Sequence, residues 1–92
     1  MNKQRRKAIN KIIEELENIQ TTFDAELREA LEEVRQEEEE ALENLPESLQ
    51  ESEKGERMQS AIDLLNDSDY ELSSVVDSIQ TLIDYLNEAM EV

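Results

Sequence analysis

Asn44-Leu45-Pro46-Glu47-Ser48-Leu49-Gln50-Glu51-Ser52-Glu53-Lys54-Gly55 holds the one proline and the one glycine of this 92-residue chain. A proline inside a regular helix removes a hydrogen bond and clashes with the preceding turn, but it is well tolerated where a helix begins. Asn44 is placed to cap a short helix, with Glu47 three residues on completing a capping box. Gly55 offers a positive-φ position that would end it. The stretch predicts one long helix over about 3–43, a short helical turn at 45–53 and a second long helix over about 55–90.

Upstream of this connection, apolar residues recur at Ile9, Ile12, Leu16, Ile19, Phe23, Leu27, Ala30 or Leu31, and Val34. Steps of three and four place them on one helical face. The steps from Ile19 to Phe23 and from Phe23 to Leu27 are both four, which breaks the strict heptad and predicts a locally straighter helix. Glu37, Glu38, Glu39 and Glu40 then occupy a place where the stripe calls for a core residue. They are read as a solvated face near the end of a bundle, and as candidates for facing a partner.

Downstream, the stripe runs through Met58, Ala61 or Ile62, Leu65, Leu72, Val75 or Val76, Ile79, Leu82 or Ile83, Leu86 and Met90. Ser68 or Asp69 fills the gap between Leu65 and Leu72, and Ser68 with Glu71 could cap a fresh helix start there. The stripe keeps phase across the gap, so a continuous helix is expected. Such periodicity also distinguishes the chain from a disordered acidic tail, which has no reason to space Ile and Leu regularly.

Two helices of similar length with a short connection pack antiparallel, so one helical-hairpin domain over 1–92 is expected. Opposed residue numbers would then add to about 99, setting Ile9 near Met90, Phe23 near Val76 and Leu27 near Leu72. The same register places Lys3 to Lys11 beside Asp84, Glu88 and Glu91. Adjacent apolar pairs make each stripe wider than a two-helix seam requires, which suits a helix with two neighbours. The expected fold is therefore all-α: a hairpin that forms a homodimer, as a four-helix bundle or an antiparallel coiled coil. Ile12, Leu16, Ile19, Phe23, Leu27, Val34, Leu65, Leu72, Val76, Ile79, Ile83 and Leu86 are the residues expected in the core and the self-association surface. Met58 and Met90 read as core filling, while Tyr70 and Tyr85 lie beside the stripe, where rings cover an edge or meet a partner.

Charge restricts function further. Nine Lys and Arg stand against 25 Asp and Glu, a formal net charge of -16. Five of the basic residues (Lys3, Arg5, Arg6, Lys7, Lys11) fall in the first eleven positions. Such a field repels nucleic acid and anionic membrane and favours a protein partner with a basic surface. With no Cys and no His, thiol chemistry, the commonest general base and the commonest transition-metal ligand are all missing. Asp67, Asp69 and Glu71 imitate the start of a calcium loop, but Leu72 stands where its glycine belongs and Ser78 where its bidentate Glu belongs. No phosphate-binding glycine loop or nucleophile elbow occurs. No catalytic residue, cofactor or metal ligand is expected. No apolar run suits a signal peptide or a membrane span, so a cytoplasmic protein is expected.

Residues 44–63, from Asn44-Leu45-Pro46-Glu47 through Gly55-Glu56-Arg57-Met58 to Ala61-Ile62-Asp63, resemble a group of small acidic helical proteins of phages, prophages and mobile elements of Gram-positive bacteria. The basic start and Glu-rich first helix, Met1 to Leu16, are similar to that group as well. The resemblance implies a bacterial or phage cytoplasmic setting and carries no assigned activity. Together these readings point to a non-enzymatic structural or adaptor module for protein–protein interaction. The alternative is an inhibitor whose carboxylates imitate nucleic acid on a rigid rod and occupy a host protein's nucleic-acid site.

Overall fold

The computed structural model describes all of residues 1–92, and the chain is all-helical. Helix α1 (Lys3–Thr21) continues without a break through a π-helical turn (Thr22–Leu27) into α2 (Arg28–Glu43), forming a first arm. A four-residue helix α3 (Glu47–Gln50) follows, and α4 (Glu53–Glu91) is the longest element. The molecule is a rod of 68 × 16 × 12 Å. No helix is long and apolar enough to cross a membrane.

Helix α1 starts on Asn2, whose side-chain oxygen accepts from the Arg5 backbone N–H at 2.8 Å. Its first turn has no acidic residue to oppose the positive end of the helix dipole. The cations there turn instead to the other end of the chain. Arg6 Nε donates to the Met90 carbonyl at 3.0 Å, and the Met1 amino group donates to the Val92 carbonyl at 3.3 Å. These are the free carbonyls at the negative end of α4, which basic groups satisfy well. The expected ion pairs from Lys3–Lys11 to Asp84, Glu88 and Glu91 do not form, and of these basic side chains Arg6 alone is bonded, to the Met90 carbonyl. Farther along, Gln20 donates to the Val76 carbonyl at 3.5 Å, and Arg28 meets Asp69 at 3.0 Å. Advancing positions of the first arm thus meet receding positions of α4.

The connection differs from its sequence reading in two respects. Asn44 does not cap a new helix; it closes the first arm with helical φ and ψ of -81° and -8°, its N–H bonded to the Glu40 carbonyl. Pro46, extended at ψ 145°, starts α3 itself, having no N–H that needs a cap. Gly55 does not adopt positive φ and does not end a helix. It is buried in the first turn of α4, where a Cβ would stand 2.0 Å from the Gln50 carbonyl oxygen and 2.5 Å from its carbon. Glycine is needed for close approach of two backbones. The Gln50 side chain ties the same corner to the first arm, donating to the Glu43 carbonyl at 3.3 Å and the Leu45 carbonyl at 2.8 Å. Helix α4 therefore starts at Glu53, two residues before the expected position.

Helix α4 runs through Asn66–Asp69 without interruption. Ser68 does not start a new helix; its hydroxyl donates back to the Leu64 carbonyl at 2.8 Å. Its partly or fully buried positions include an unbroken heptad: Gly55, Met58, Ile62, Leu65, Asp69, Leu72, Val76, Ile79, Ile83, Leu86 and Met90.

The first arm is different. Its inward positions are Ile9, Ile13, Leu16, Gln20 and Phe23, then Arg28, Leu31, Arg35, Glu38, Leu42 and Leu45. Steps of four and three hold everywhere except from Phe23 to Arg28, where the step is five. The π turn lies across that step, with the Arg28 N–H bonded to the Phe23 carbonyl five residues back. One extra residue would rotate a regular helix by about 100°, and a π turn absorbs it while the inward face stays aligned. The irregular spacing read from the sequence thus falls where the helix widens into the π turn. Ile12, Ile19, Leu27 and Val34 therefore lie beside the inward face, and Ile13, Gln20, Arg28 and Arg35 stand in their place.

Candidate interaction surface

Little apolar surface is fully enclosed. Only Ile13, Ile62 and Ile83 are buried among apolar side chains, at 7%, 3% and 4% exposure. Leu16, Phe23, Leu65, Leu72, Val76, Ile79 and Leu86, all expected in the core, are half-buried along the seam between the first arm and α4.

The remaining apolar residues follow a pattern of their own. In each heptad, the position just before one of the two inward residues forms a flank. On the first arm this flank reads Ile12, Ile19, Leu27, Val34 and Ala41, and on α4 it reads Ala61, Ser68, Val75, Leu82 and Ala89. Its Ile, Leu and Val side chains are between 41% and 51% exposed. The opposite flank reads Asn10, Glu17, Asp24, Glu32 and Glu39 on the first arm, and Gln59, Asn66, Ser73, Gln80 and Asn87 on α4. One flank is apolar at nine of ten positions and the other at none, so each helix has three distinct sides. On α4, shallow grooves run beside the apolar flank, lined by Leu64, Ser68, Glu71, Leu72 and Val75, and farther on by Ser78, Ile79 and Leu82.

Polar groups at inward positions are paired. Arg28 reaches both Asp69 on α4 and Asp24 one turn back, each at 3.0 Å. Both Arg28 and Asp69 remain more than a third exposed, so solvent screens the pair and it chiefly fixes register. The hydrogen bond from Arg28 holds the Asp69 carboxyl below the usual carboxylate range, against a partial loss of solvation. The same bond, with that to Asp24, raises the guanidinium further above its ordinary value. Arg35 is bonded to Glu32 and to Glu39, the latter at 2.6 Å, and its bond lowers the Glu32 pKa. Sequence reading did not assign Arg28 or Arg35 inward, because the five-residue step that turns them in is invisible without the π turn.

The Glu37–Glu40 run is divided by this arrangement. Glu38 and Glu39 are half-buried, Glu39 being held by Arg35, whereas Glu37 and Glu40 are exposed. Asp67, Asp69 and Glu71 lie in continuous helix, and Asp69 is engaged by Arg28, so they do not form a calcium loop. No group of three or more Asp or Glu side chains converges in a way that could hold a metal ion. Tyr70 and Tyr85 are exposed rather than laid over the seam. Neither family models, nor curated proteins, nor solved structures match this chain.

The Asp69 contact makes one pH-dependent contribution to stability. A carboxyl with a depressed folded-state pKa stabilises the fold above the unfolded pKa and loses that contribution as pH falls through the folded value. Protonating the other carboxylates relieves repulsion in the opposite sense, so the comparison must be with Asp69→Asn. Denaturant unfolding should show the wild type ahead of Asp69→Asn at neutral pH, with the gap closing only below the ordinary carboxylate range. A gap that persists unchanged in acid would remove the ion pair as its cause.

Proposed function

We propose that the chain is a non-enzymatic helical hairpin that self-associates through its apolar flank and presents an acidic surface to a basic protein partner. In an antiparallel helix pair the equivalent flanks of the two helices lie on the same side of the seam. The flank from Ile12 to Ala41 and that from Ala61 to Ala89 then merge into one apolar strip along the rod. That strip carries the reading, because a chain of this size with so few enclosed side chains gains stability chiefly by association. A dimer joined there is a four-helix bundle with the carboxylates outside. The resemblance of residues 44–63 to phage and mobile-element proteins supports a bacterial or phage setting.

Sedimentation of the purified protein tests self-association. The wild type should sediment as a dimer at micromolar concentration. Ile19→Glu with Leu27→Glu should sediment as a monomer that keeps its helical circular dichroism, since both side chains already meet solvent. A wild-type monomer at that concentration refutes the reading.

A second function, imitation of nucleic acid, is favoured by the 68 Å length of the rod and its net charge of -16. Pull-down from bacterial lysate separates the two. An adaptor's partner is retained in the presence of DNA or RNA, whereas a mimic's partner is displaced by either and weakened strongly by salt.

A further inference from the structure

We infer that the occupant of the apolar flank is a second copy of this chain running in the opposite direction, so that the basic tip of each rod lies against the acidic connection end of the other. The inference rests on the self-association proposed above and adds its orientation. Charge is distributed very unevenly along the rod. Residues 1–11 and 84–92, which meet at one end through Arg6 and Met90, carry five basic and three acidic side chains. Residues 32–62, around the connection, carry three basic and eleven acidic ones. Two copies aligned end for end would set the eleven carboxylates of one beside the eleven of the other. Reversing one copy sets each acidic end beside the other's basic tip.

The groups needed for this match are free. Lys3, Arg5, Lys7 and Lys11 form no ion pair within their own chain, and neither do Glu37 and Glu40. Arg5 lies seven residues before Ile12, so the basic tip continues the apolar flank, while at the connection end Lys54, seven before Ala61, is one of only three basic side chains among eleven acidic ones. A face of about 68 by 16 Å gives on the order of 1,000 Å² per copy, where a stable interface needs about 800 Å² per partner. A twofold axis across the middle of the rod closes the assembly at two copies, as expected of an isologous interface.

Lysine positions make a direct test possible. Lys54 is at the connection end, and Lys3, Lys7 and Lys11 are at the tip, nearly a rod's length away in the same chain. A short amine-reactive cross-linker cannot join them within one copy. The wild-type dimer, cross-linked at low salt and digested for mass spectrometry, should give Lys54 joined to Lys3, Lys7 or Lys11. The same links should form between light and heavy chains in a mixture of unlabelled and nitrogen-15-labelled protein. A dimer that gives Lys54–Lys54 and no tip-to-connection link overturns the orientation while leaving self-association intact. A chain that sediments as a monomer overturns both.

Discussion

Gly55→Ala is expected to destabilise the protein by about 2–3 kcal/mol, the cost of forcing a methyl group into a packed site. The sign is the informative part. Helix propensity alone predicts the opposite, since Ala is favoured over Gly by about 1 kcal/mol within a helix. Gly55 is in regular helix with no positive φ, so its backbone would accept Ala. The obstacle is the Gln50 backbone, whose carbonyl oxygen, carbonyl carbon and Cα would lie 2.0, 2.5 and 2.8 Å from the new Cβ. Those atoms cannot rotate away as the end of a flexible side chain can. Gln50 is itself held by its side chain to the carbonyls of Glu43 and Leu45, so giving way would loosen the end of the first arm. Chemical denaturation of the two proteins measures the effect. A Gly55→Ala protein as stable as the wild type, or more so, would show that the two backbones do not press together.

Single-residue deletions should have opposite outcomes in the two arms. Removing Glu71 from α4 is expected to cost at least about 3 kcal/mol, in the range of losing a large core side chain. Ile62 and Ile83 are separated by three heptads, and deletion between them rotates one away from the first arm by about 100°. Nothing in α4 can absorb that rotation. Removing Ala25 from the π turn should leave stability within about 1 kcal/mol of the wild type, because it converts a π turn to the ordinary α-helical one. The five-residue step from Phe23 to Arg28 becomes four, and every inward residue keeps its face. Thermal unfolding followed by circular dichroism distinguishes the pair, and equal losses from both deletions would contradict the phase argument.

The two arms were legible in the sequence to different degrees for the same reason. In α4 the apolar period is unbroken, so the inward residues from Met58 to Met90 follow from spacing alone, including the polar substitution near Asp69. In the first arm two adjacent isoleucines, Ile12 and Ile13, offered two phases. Spacing to Leu27 and Val34 favours Ile12, and the structure turns Ile13 inward because one surplus residue is taken up farther on. A helical period cannot report such a surplus when both phases are apolar. Gly55 and Asn44 were misread for another reason. Both residue types favour turns and caps on average, while their roles here depend on the position of Gln50 and Pro46 in space. The exposed apolar flank needed the corrected phase before it could be separated from the seam.

The π turn also determines what a lone chain lacks. Continued as a regular helix from Phe23, the first arm would direct Leu27 and Val34 toward α4 and leave Arg28 and Arg35 in solvent. The surplus residue reverses that allocation, bringing two arginines inward and sending two aliphatic side chains out. A single residue of slack thereby turns aliphatic bulk that could have served a solitary rod into material for company.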